Sequence, residues 1–248
     1  MSSEPEAGDS LVSHLLELRS RLLRAVLAVV VAFLAVLPFS DRLYAWLAQP
    51  LLTVLPKGGQ LVAIEVTSTF FVPLRLSFFA ALMLAMPVVL YQLWAFVAPG
   101  LYQHEKRLAR PLLVAATVLF YAGCAFTYYA LLPVMFAYLS ASAPPGVAMM
   151  TDIGHYLEFV LVLFLAGGLS FEVPVAVLIA VILGWVTPQQ LSAWRGYVIV
   201  VIFIIAAILT PPDGLSQIMM ALPMCALYEI GLVFARLLRR RAETVPTQ

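Results

Sequence analysis

Apolar residues fall in long runs along this chain, and polar residues gather between them. Six runs stand out, at about 22–38, 70–97, 111–139, 153–183, 195–209 and 215–235. A helix rises 1.5 Å per residue, so about 20 apolar residues span the roughly 30 Å of bilayer hydrocarbon. The runs therefore predict six membrane-spanning helices. Proline and glycine punctuate most boundaries, at Pro38, Pro99, Gly100, Pro144, Pro145, Gly146, Gly184, Pro188, Pro211, Pro212 and Gly214. The longest polar connection is 39–69. It contains DRLYAWLAQPLL, an amphipathic stretch that predicts a short interfacial helix.

The spans are unequal. The fifth, 195–209, gives only about 22 Å, well under the usual hydrocarbon thickness. The fourth has about 30 residues and must tilt, kink or project beyond the membrane. Pro174 is the predicted kink, because proline removes one backbone hydrogen bond and clashes with the preceding turn. Pro73, Pro87, Pro133 and Pro223 are expected to bend other spans. The predicted fold is all-α: a polytopic membrane protein of six kinked, unequal helices forming a curved, concave scaffold. Residues 1–248 are read as one membrane domain, with a polar tail at 236–248. No internal repeat is visible, so an inverted-repeat transporter architecture has no support.

Composition agrees. Of 248 residues, 63% are hydrophobic and 11% charged, with a mean hydropathy of +1.01. Soluble domains carry roughly a quarter charged residues, so this chain lacks the polar surface to cover a water-soluble body. The net charge of +1 says little about partners, because the charges are segregated by position. The acidic start, MSSEPEAGDS, fits neither a secretory signal nor a transit peptide, so the first run is expected to be retained as a span. Lys and Arg then set the orientation. Arg19, Arg21, Arg24, Lys106, Arg107, Arg110, Arg195, Arg236, Arg239, Arg240 and Arg241 fall on one side, and only Arg42 and Lys57 on the other. Both termini are expected in the cytoplasm. Cys124 and Cys225 sit inside apolar runs and read as small hydrophobes.

An ionisable group in hydrocarbon needs a partner, water or a purpose. Glu17, in SHLLELRSRLL, and Glu105, in PGLYQHEKRLARP, lie among basic residues on the predicted cytoplasmic side. Local pairing, such as Glu17 with Arg21 at i,i+4, is one account. An acidic site for a basic ligand is the other. Glu172, in SFEVPVAV, is placed one-third to halfway along the fourth span, where it faces a hydrated cavity or meets a neutralising partner. Snorkelling accounts for Arg75 near the outer end of the second span. Asp213 is expected to cap the sixth span, with Ser216 and Gln217 one turn in and able to hydrogen-bond a partner helix. Glu229 is expected near Arg236 at the headgroups. His14, His104 and His155 show no metal-ligand spacing, and neither nucleophile elbow nor phosphate-binding loop occurs.

Four segments carry a family resemblance. They are SHLLELRSRLL, WAFVAPGLYQHEKRL, FEVPVAV and ILTPPDGLSQIMMALPMCALYEIG. Together they resemble TatC, the family of multispanning core subunits of the twin-arginine protein translocase, over about 12–234 and in the family's order. The resemblance implies a receptor for signal peptides bearing an Arg-Arg pair on folded proteins. It implies work with TatA- and TatB-type single-span partners and with other TatC copies, in contact with membrane lipid. The proton-motive force supplies the energy, with no nucleotide site, no cofactor, no metal, no nucleic acid and no enzymatic reaction. By motif, Glu17 and Glu105 become the signal-peptide site, helped by Arg19 and Phe96, and Glu172 becomes the polar position of the fourth span. Ser216 and Gln217 are assigned to partner docking. Pro50 falls at a position the family uses, and Lys106 stands where a second arginine is common. Two guanidinium groups can each engage a carboxylate bidentately, which lysines cannot. The competing readings are a small-solute transporter or channel using Glu172, and an intramembrane enzyme; missing repeats, the short fifth span and absent catalytic constellations count against them.

Overall fold

The computed structural model describes residues 7–53, 60–97, 106–142, 150–210 and 214–243. Helix α1 is Ala7–Val36, a 3-10 turn covers Leu37–Phe39, and α2 is Ser40–Leu52. Strand β1 (Gln60–Val62) precedes α3 (Ser68–Val97). Helices α4 (Lys106–Phe126) and α5 (Leu132–Ala141) flank a π-helical stretch, Thr127–Leu131. After β2 (Met150–Asp152) come α6 (Ile153–Phe171), α7 (Val173–Ile182), α8 (Pro188–Ala193), α9 (Arg195–Leu209) and α10 (Gly214–Glu243). Among the described residues, five helical stretches are long and apolar enough to cross a membrane. The sixth, α9, has 15 residues, as the pattern of apolar positions predicts.

The first span begins earlier than predicted, since nothing breaks the helix between Ala7 and Val36. Pro38 does not end it either. Its ring sits in the tight 3-10 turn, where no long-range N–H is needed, and α2 follows directly.

The kinks lie where proline forces them. Pro174 leaves Glu172 outside both helices, splitting the fourth span into α6 and α7. Glu172 lies about two-thirds of the way along this span, not one-third to halfway: the 19 residues of α6 precede it and the 10 of α7 follow. Before Pro133 the helix widens: the N–H of Leu132 donates to the carbonyl of Thr127, five residues back. Gly184, at φ 71°, ends α7 in the left-handed region, while the N–H of Trp185 donates to the Ala180 carbonyl at 3.0 Å.

Two apolar clusters form the core. At the face away from the termini, Leu47, Leu51, Val72, Phe136, Tyr156 and Met220 share one buried cluster. At the terminal face, Trp94, Leu112, Leu178, Leu191, Leu232 and Ala235 share the other. Close helix contact needs small residues. A methyl on Gly231 would come 2.8 Å from the Pro174 Cα, so α10 rests on the break between α6 and α7. A methyl on Gly167 would overlap the Thr127 hydroxyl, which is how α6 approaches the π-helical stretch.

The far face is tied by polar groups. Pro50 cannot donate to the Trp46 carbonyl, and the hydroxyl of Tyr128 donates to it instead at 2.8 Å. The hydroxyl of Tyr156 donates to the neighbouring Leu47 carbonyl at 2.7 Å. The indole of Trp46 stacks on Tyr128, with centroids 4.1 Å apart. Strands β1 and β2 pair in parallel, Leu61 against Thr151.

Asp152 closes the joint. Its carboxylate accepts from the backbone N–H groups of Ile64, Gly154 and His155 at 3.0–3.1 Å. Those donors, Ile64 first, hold its carboxyl below the usual value. A lowered folded value gives stability above the unfolded value, near 4, lost as pH falls below it. Spin labels at the exposed sites Val66 and Met150 should keep one distance from pH 8 to 5 and separate only below about pH 4. Asp152→Ala should separate them already at pH 7; an unchanged distance there would refute the joint.

Candidate functional site

At the terminal face, Glu17 lies on α1, in the stretch that the apolar run does not cover. Arg21 donates from Nε at 2.9 Å and from Nη2 at 2.5 Å, both to Oε1 of Glu17. The i,i+4 pairing expected from spacing is therefore present, and the Glu17 side chain is still 36% exposed. Arg19 is exposed on the same helix. Phe96 is half-buried at the end of α3, two residues after buried Trp94.

Glu105 lies outside the described residues, as does the connection 98–105 around it. Its two shoulders are fixed: Trp94 from α3 and Leu112 from α4 belong to the same buried cluster. Lys106 opens α4.

Glu172 sits at the α6–α7 break, half-buried, between the two apolar clusters. Its Oε1 is buried with no hydrogen-bond partner among the described residues. Its backbone is satisfied, since its N–H donates to Leu169 and its carbonyl accepts from Ala176.

Asp213 lies outside the described residues. Ser216 is buried at the start of α10. The amide of Gln217 donates to the Phe203 carbonyl at 3.1 Å, tying α10 to α9. Much of α9 beyond this tie is exposed, including Val200, Ile204 and Ile208.

Glu229 does not meet Arg236. Its Oε2 accepts from Arg195 Nη2 at 2.6 Å, and Arg236 donates to the Ser192 hydroxyl at 2.8 Å. A capping box of Thr187 and Gln190 starts α8, which packs against α10 beside the Arg195–Glu229 pair. Tyr228 secures that fold through a 2.7 Å bond to the Leu191 carbonyl. The Arg195–Glu229 pair went unread in the sequence, and so did the three tyrosine anchors. Asp152 left a legible trace, an acidic residue directly before an apolar run.

The model of the Sec-independent protein translocase protein (TatC) matches residues 13–223. The chain belongs to the TatC family. The TatC protein of Azotobacter chroococcum is 49% identical over 98% of this chain and 96% of its own length. That of Escherichia coli is 47% identical over 91% and 88%. That of Halothiobacillus neapolitanus is 53% identical over 91% of this chain, which spans 62% of the relative's length. A crystal structure described as the twin-arginine translocase receptor TatC is 34% identical, with a TM-score of 0.78 over 90% of this chain and 98% of that one. The same receptor in DDM gives 0.81 over 90% and 99%.

TatC is a component of the Sec-independent protein translocase, a transport protein rather than an enzyme. Membership and the apolar helices together make this chain a multi-pass inner-membrane protein. The six kinked, unequal helices are those of the family fold.

Proposed function

We propose that this chain is the core receptor subunit of the twin-arginine translocase. Residues 1–248 act as one membrane domain, with both termini in the cytoplasm, where the basic residues cluster. Glu17 and Glu105, assisted by Arg19 and Phe96, bind the Arg-Arg pair of signal peptides on folded proteins. TatA- and TatB-type subunits and further copies of this chain complete the machine, and the proton-motive force drives export without a cofactor.

The observation that carries this reading is Glu17. Both bonds from Arg21 end on Oε1, which leaves Oε2 outside that fork on a partly exposed carboxylate. An incoming guanidinium can take Oε2 or replace Arg21. The test is capture of the purified protein on immobilised signal peptides. An Arg-Arg peptide should retain at least roughly ten-fold more than its Lys-Lys counterpart, since lysine keeps the charge and loses the bidentate geometry. Equal capture would end the proposal.

The short α9 and the polar start of α10 give a lateral dock for a single-span partner, beside Ser216 and Gln217. Polar contacts between helices in a membrane contribute on the order of 1 kcal/mol each. Cysteines placed along α9 and α10 should crosslink to the partner's span. Crosslinks confined to α1 and α4 would refute the dock.

A further inference from the structure

A groove of about 580 Å³ opens between α1, α3 and α6 in the half of the molecule away from the termini. Phe33, Phe78, Phe79 and Leu161 give it apolar walls, and Arg75 and Glu158 place one charge of each sign on it. Arg75 lies seven residues into α3 and Glu158 five residues into α6, about 10 Å and 8 Å along helices that enter from the same face. That depth is where headgroups give way to acyl chains.

Among the described residues, neither Arg75 nor Glu158 has an ion-pair partner within 4.0 Å. Two charges at the rim of the hydrocarbon, each without a fixed counter-ion, call for a ligand carrying both signs.

The groove continues inward. Phe79 and Leu161 also line a second cavity of about 420 Å³, whose walls include Met83, Cys124 and Phe164. Residue numbers rise along both α3 and α6 from the first cavity to the second, so on these helices the second lies farther in, while Leu43, Trp46 and Leu47 of α2 bound it from the far face. A mouth carrying one charge of each sign thus leads into an apolar corridor.

We propose that this groove is a binding site for one zwitterionic phospholipid, phosphatidylethanolamine. Arg75 takes the phosphate, Glu158 takes the ammonium, and one acyl chain runs past Phe79 and Leu161 into the deeper cavity. Seated there, the lipid fills the gap between α1 and α6 beside the α1–α3 contact and steadies the otherwise exposed first span.

Native mass spectrometry of the purified full chain tests this, with phosphatidylethanolamine and phosphatidylglycerol of matched acyl chains as probes. The wild-type protein should retain the first lipid roughly ten-fold better than the second, because only the first carries an ammonium for Glu158. Glu158→Gln should erase that preference and leave phosphatidylglycerol unchanged. Arg75→Gln should weaken both lipids. Leu161→Trp should block the corridor and release phosphatidylethanolamine with both charges in place. Equal retention of the two lipids by the wild-type chain would overturn the proposal, even if every variant failed to fold. So would a wild-type preference that survives Glu158→Gln.

Discussion

Alanine at both Glu17 and Glu105 should cut capture of Arg-Arg signal peptides by roughly a hundred-fold, with roughly ten-fold from either change alone. Each guanidinium–carboxylate contact is a charge-assisted hydrogen-bond pair, and losing one removes about one decade of affinity. The protein itself should hardly notice. The Glu17–Arg21 pair is partly exposed and local, of a kind that stabilises by less than about 1 kcal/mol. Glu17→Gln separates charge from shape: it keeps an acceptor and loses the charge, so its capture should fall between wild type and alanine. The measurement is crosslinking of a labelled signal peptide in membranes, beside thermal unfolding of the same variants. Undiminished crosslinking in the folded double variant would remove both carboxylates from the recognition site.

The parts of this molecule that were legible in the sequence are those governed by neighbours in the chain. Apolar runs marked the spans, Pro174 marked the break in the fourth, and the 15 residues of α9 marked its shortness. Glu17 found Arg21 because a helix puts residues four apart on one face. The illegible parts depend on packing between distant segments. Ile64 reaches Asp152 across 88 positions, and Tyr156 reaches Leu47 across 109. No local pattern announces either. Glu229 shows how a local rule misleads. Arg236 lies two turns along the same helix, but Arg195, 34 positions away, is brought within 2.6 Å by the fold of α8. The site divides the same way: motifs picked Glu17, Glu105 and Glu172, while the ties that hold their helices in place come from tertiary contacts.

Glu172 carries the second large expectation. A carboxylate facing lipid in mid-span would have to take up a proton or draw water inward, at a cost of roughly a few kcal/mol. The structure puts it at the one position where α6 and α7 interrupt their own ladder, half-buried between two apolar clusters, with Oε1 sheltered. A polar side chain there is kept for what it does to its surroundings. We propose that this polarity, with the short α9, thins the apolar barrier beneath a bound signal peptide. That role needs polarity and hydrogen bonding, which an amide supplies, and it needs no proton transfer. Glu172→Gln should therefore keep most export activity. Glu172→Leu should lose more than ten-fold, since it seals the break with a side chain that excludes water. Export of a twin-arginine reporter by cells carrying each variant, at matched membrane levels of the protein, decides the matter. Equal and complete loss in both variants would make Glu172 an obligatory titrating group and end the polarity reading.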